Sequence, residues 1–139
     1  MSTVEQQIVT RLTTAAGFTS LAGTRCYEQF APQAAARPFV TFERISTDPT
    51  NTLTGPTDDD DQACRFQVTA WADSSAAAAA LMTVVNGLLA GWRNTALTPR
   101  IDSCHRVDQR DVPAQQVPGR DGFIFGQQAD YLIWTSLNP

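Results

Sequence analysis

Four consecutive carboxylates, Asp58-Asp59-Asp60-Asp61, are the densest charge in the chain and the first place to look for chemistry. Carboxylates hold Mg²⁺ or Ca²⁺ when several oxygens converge on one ion. This run lacks the spaced ligands and the glycine of an EF-hand loop, and consecutive carboxylates without such spacing seldom converge. Two other readings fit it better. It is a solvated loop tip whose charge discourages pairing between sheet edges, or a negative rim past which DNA slides without sticking.

His105 is the only histidine, and Asp102 and Asp108 lie within three residues of it, so general acid–base chemistry is conceivable there. Alternation along this segment puts His105 on the same face as Ile101 and Val107, which suits a half-buried core histidine better. No G-x-S-x-G elbow or Cys–His signature accompanies it. Gly119-Arg120-Asp121-Gly122 is a turn signal and not a phosphate cradle, because no helix start follows it. The three cysteines, Cys26, Cys64 and Cys104, are far apart and odd in number, with no CxxC pair. A disulfide framework or zinc site is not expected of them. They suit small buried hydrophobes in strands, folded in a reducing compartment. The expectation is a chain with no catalytic, cofactor or metal site.

Large aromatics outside the core remain. Trp71 falls on the polar face of an alternating segment, and Trp134 lies opposite Tyr131 and Ile133. Both are candidate interface anchors, the alternative being packing beneath loops.

The elements that must position these residues follow from periodicity. Val4, Ile8, Leu12 and Ala15 recur at helical spacing. Ser2 and Glu5 fit a capping box and Gly17 a helix stop, which predicts a first helix over 3–16 and a loop over 18–24. Arg25 to Glu28 suits a short strand. Pro38 opens the β-branched and aromatic run Phe39 to Ile45, a second strand. Ser46 to Asp61 reads as a long polar loop. Cys64, Phe66, Val68 and Ala70 then alternate with Arg65, Gln67, Thr69 and Trp71, the clearest strand in the chain. These two strands form a hairpin with the acidic run at its tip. Asp73 or Ser74 caps a second helix striped by Ala77, Leu81, Val84 and Leu88, which Gly91 ends. A strand over 101–108, a polar loop over 109–122 and a strand from Phe123 to Trp134 complete the order. The fold class is α+β: a mainly antiparallel sheet of about four strands with two helices packed on one face.

Composition agrees with one domain spanning residues 1–139. Apolar residues make up 42% and charged residues only 17%. A weakly charged surface suits a protein packed against copies or partners. The net charge is −4, and the ten cationic residues are all arginine and scattered, which argues against gripping nucleic acid. The first residues show no signal-peptide pattern. The longest apolar stretch, Ala76 to Met82, is far too short to span a bilayer.

The ordered set resembles the tail-completion, or tail terminator, family of long-tailed bacteriophages. It consists of a leading helix, Arg25-Cys26-Tyr27, the proline-opened strand Arg37 to Phe42, and the strand Arg65 to Ala72 running into an Ala-, Leu- and Val-rich helix. The closing Tyr131-Leu132-Ile133-Trp134 completes it. Phe66 to Leu89 carries the resemblance most strongly, and the two long loops have no match in it.

The resemblance implies a structural virion protein, not an enzyme, assembled in the host cytoplasm with no membrane contact. Copies form a ring, usually a homohexamer, at the head-proximal end of the tail tube. The ring ends tube polymerisation and joins the tail to the head connector or stopper protein, with DNA crossing the lumen. Residues expected to touch the tube or a neighbouring subunit are Asn51, Thr52, Leu53, Thr54, Asp58, Asp59, Asp60, Asp61, Trp71 and Trp134. The alternatives are a head-side connector or stopper ring and, further off, a small ligand-binding module or an enzyme using His105 and Asp102.

Overall fold

The computed structural model describes residues 3–32, 36–49, 62–97, 100–116 and 122–136. Helix α1 (Val4–Thr13) begins at Thr3, not at Ser2. The Thr3 hydroxyl accepts from the Gln6 N–H at 3.1 Å, and Gln6 Oε1 accepts from the Thr3 N–H at 3.0 Å. The capping box expected of Ser2 and Glu5 is thus shifted by one residue, with glutamine in place of glutamate. Helix α2 (Ala16–Ala22) occupies the segment expected to be a loop. Gly17 lies inside it and does not stop α1; a Cβ there would sit 3.7 Å from Val84 Cγ1, so the glycine lies against α3. Gly23, at φ 58°, makes the stop instead.

Strand β1 (Cys26–Glu28) runs parallel to β2 (Phe39–Pro49), which pairs antiparallel with β3 (Gln62–Ala72). Helix α3 (Ser75–Leu89) is capped by Ser74, whose hydroxyl accepts from the Ala77 N–H at 3.1 Å. Gly91, with φ 82°, lets the chain leave the helix, and its N–H donates to Cys104 O at 2.7 Å. Strand β4 (Arg100–Gln116) and strand β5 (Phe123–Ser136) follow. The sheet has five strands in the order β1-β2-β3-β5-β4, every pairing but the first antiparallel. The α+β class and the antiparallel character stand as expected. The sheet carries one strand more than the four expected, and there are three helices among the described residues, not two.

Both expected loops are shorter at their first ends. Residues 46–49 continue β2, because β3 extends to Gln62 and supplies ladder partners as far as Pro49. Residues 109–116 continue β4, paired with 123–129 of β5.

One core holds the layers together. Ile8, Leu12, Phe18, Leu81, Val85 and Leu89 from the helices meet Val40, Phe42, Phe66, Val68, Tyr131 and Ile133 of the sheet, all fully or almost fully buried. All these strand residues sit on one face, as the period of two requires. The run Ala76 to Ala80 brings no bulk to α3, so the helix lies close on β3 and β5. Burying such side chains stabilises the fold by about 1.5–3 kcal/mol each before entropy is counted. The other face of the sheet carries no helix among the described residues, and this face presents the polar chemistry.

Candidate assembly surfaces

The uncovered face is read directly from the register. Ala63, Trp134 and Ser103 share a row across β3, β5 and β4; Arg65, Leu132 and His105 share the next; Gln67, Asp130 and Asp108 the third. At its centre Asp130 is only 4% exposed. Its Oδ2 accepts from Arg65 Nη2 at 2.7 Å and from Arg65 Nε at 3.2 Å. Arg110 Nη2 stands 3.6 Å from Oδ1, while Arg110 Nη1 donates to Asp108 at 2.7 Å. The Gln67 amide, oriented to satisfy its neighbours, donates to Glu43 and accepts from Arg110 and Gln128. The Gln128 amide also donates to Thr69 Oγ1 at 3.2 Å. Polar groups from all four long strands thus meet across the middle of the sheet, while Asp130 Oδ1 makes no hydrogen bond among the described residues. The two Arg65 bonds to Oδ2 offset part of the cost of burying this carboxylate.

Trp71 and Trp134 flank the belt at opposite ends. Trp71 is half-buried; its indole N–H donates to Thr41 Oγ1 at 3.1 Å, and its ring covers the backbone at Gly126. Trp134 is 37% exposed. Small residues, Ala63 and Ser103, stand on either side of it in its row. The two candidate anchors therefore share one face but differ in freedom. Asn51, Thr52, Leu53, Thr54, Asp58, Asp59, Asp60 and Asp61 lie outside the described residues.

His105 is not on the apolar face. A bulge between Ile101 and Ser103 shifts the phase of β4, so Ile101 and Cys104 face the core and His105 points to solvent beside Leu132. Val107, expected inside, sits in a second bulge and is 43% exposed. The carboxylates expected to serve His105 are engaged elsewhere: Asp102 Oδ1 lies 2.6 Å from Arg100 Nε, and Asp108 pairs with Arg110. The three cysteines are buried, as expected. Burial pushes the Cys26 and Cys104 thiols up to about 12. It also raises the Tyr131 phenol, with the nearby Cys104 adding to the shift and Arg106 opposing it.

Two further surfaces were not foreseen. The first is the free edge of β4: its residues 105–111 are all exposed, it contains three register shifts, and it carries Pro113 and the mixed charges Arg106, Asp108, Arg110 and Asp111. Bulges, proline and charge blunt an edge against promiscuous pairing. The second is a cleft between α1 and the connector after α3, in which the Arg11 guanidinium lies over the Trp92 ring. Sequence alone marks neither, because both depend on which strand or helix lies alongside.

Across the described residues the polar groups bind one another from strand to strand, the chemistry of a structural component. The chain belongs to the tail completion protein gp17 family, whose model matches residues 6–123. It is thus a structural protein of the bacteriophage tail type. Among solved structures it is similar to a chain of the virion of a native gene transfer agent particle, with a TM-score of 0.71 and 18% sequence identity. That match covers 93% of this chain and 91% of the other, and shows a shared fold. No curated protein matches the chain.

Proposed function

We propose that residues 1–139 work as one tail-terminator domain. Copies of it form a ring, a homohexamer, at the head-proximal end of a tail tube. The ring stops addition of tube subunits and receives the head connector or stopper protein, and DNA passes through its lumen without specific binding. Assembly takes place in the host cytoplasm and the ring stays with the virion tail. The observation that carries this reading is the family match over 6–123.

The surfaces support it physically. A ring needs heterologous contacts, two different patches on each subunit. The uncovered sheet face, with Trp134 standing from it, and the helical layer on the opposite side are two such patches. Helix α3 contains no charged residue anywhere from Ser75 to Leu89, so a neighbour can cover its outer side without desolvating a charge. The blunted β4 edge favours face contacts over strand addition.

Deleting Asn51 to Asp60 tests the role of the hairpin tip. The shortened protein should fold and yet fail to join tails to heads in a complementation assay. Normal joining would remove the tip from the mechanism. Locating the protein on tails made without heads separates the tail-side ring from a head-side one.

A further inference from the structure

Arg11 is held in two directions and open in a third. Its Nε–H donates to Leu88 O, near the end of α3, at 3.0 Å. Its guanidinium carbon lies 5.8 Å from the centroid of the Trp92 ring, and Trp92 is itself 5% exposed and fixed in the core. Its two Nη groups make no hydrogen bond among the described residues. They face a cleft of about 320 Å³ lined also by Gln6, Thr10, Asn94 and Leu97. Among the described residues Arg11 is the sole charged one of that lining. A guanidinium fixed at one edge and one face presents its remaining N–H pair in the geometry that a carboxylate accepts, with little further entropy to lose.

We propose that this cleft receives the acidic run Asp58–Asp61 of a second copy of the chain. The proposal rests on the ring reading and names one pair of surfaces that would close it. Charge supplies the first argument. Asp58 to Asp61 concentrate four carboxylates at one point of the sequence, the densest negative charge in the chain to set against the cation of the cleft. Reach supplies the second. β2 and β3 are still paired at Pro49 and Gln62, and residues 50–61 leave from there. Six residues, half of the twelve that join the two strands, span at most about 20 Å. An acidic run and a fixed cation at different positions of the chain would make a heterologous pair.

The test uses a synthetic peptide of residues 50–62 as probe, titrated by calorimetry into protein whose own Asp58, Asp59, Asp60 and Asp61 are changed to Asn. The native masses of the wild type, that four-Asn variant and Arg11→Gln are measured beside it. The peptide should bind, more weakly as salt rises. Arg11→Gln in the titrated protein should weaken binding about tenfold or more. A peptide with the four aspartates changed to asparagine should lose affinity to the same degree. That peptide probes the same contact without touching the protein's fold, and equal binding of both peptides overturns the proposal. Rings of the wild type that disappear in both variants support it. Rings in all three proteins with no peptide bound leave the ring reading standing and overturn the cleft assignment. Peptide binding with identical masses for all three means that each chain fills its own cleft, which overturns the contact between copies. A wild type that stays monomeric at every concentration while the peptide binds counts against the ring and not against the carboxylate site.

Discussion

Arg65 on β3 and Asp130 on β5 stand one row apart in the ladder, and the guanidinium reaches diagonally to grip one carboxylate oxygen with both Nε and Nη2. The two ends are unequal: the Asp130 side chain is 6% exposed and that of Arg65 43%. Removing the arginine therefore costs more than removing the acid. Arg65→Ala leaves a buried carboxylate with only Arg110, at 3.6 Å, and should destabilise the fold by about 2 kcal/mol, less than a fully buried pair because Arg65 is screened. Asp130→Asn leaves cations that water can reach and should cost nearer 1 kcal/mol. Urea unfolding of the two variants gives the order, and an Arg65→Ala midpoint equal to wild type would contradict this account.

Gly126 is a packing requirement of Trp71. A Cβ at that position would lie 3.1 Å from two atoms of the Trp71 ring and from Val112 Cβ. Gly126→Ala should tilt the indole away from Thr41 and cost about 1–2 kcal/mol. The near-ultraviolet circular dichroism of the folded variant should change along with its stability. An unchanged spectrum would show that β4 gives way and the ring does not.

The buried thiols give the stability a basic limit. Cys26 and Cys104 ionise at 9.0 in the unfolded chain and at about 12 when folded. Because the folded value is raised, the contribution is complete below pH 9 and is lost as pH climbs from 9 towards 12. Each thiol should reduce the unfolding free energy by roughly 1.4 kcal/mol per pH unit in that window. Thiol reagents at pH 8 should label the native protein very slowly and the urea-unfolded protein at once. Rapid labelling of the native state would mean that the strands open locally.

Trp134→Ala should separate folding from assembly. At 37% exposure the ring contributes modestly to the monomer, and its loss should cost about 1 kcal/mol or less. The same change should weaken any association through the uncovered sheet face far more, as truncation of an aromatic anchor does. Equal effects on melting and on ring formation would assign Trp134 to the core.

What the sequence reveals differs by element. The alternation of Cys64, Phe66, Val68 and Ala70 gives β3 and its inward face without error, since a central strand with one covered face has a strict period. The same rule fails in β4, because a bulge adds a residue that periodicity cannot see and moves His105 from one face to the other. α2 is missed because Gly17 looks like a terminator, whereas it lies inside the helix with room for a Cβ beside Val84. The family was readable from the order of patterns. The Arg65–Asp130 pair was not, since it depends on the register of strands 65 positions apart in the chain. The Arg11 cleft needs three segments brought together.

The order of the strands bears on when the sheet can be completed during synthesis. β5 is synthesised after every other described strand, yet it lies between β3 and β4 and supplies the pairing partner of each. Until it emerges from the ribosome, β4 has nowhere to lie and β3 has one bare edge. No nascent chain can then present a finished sheet face. The topology thus ties completion of the sheet to the synthesis of β5.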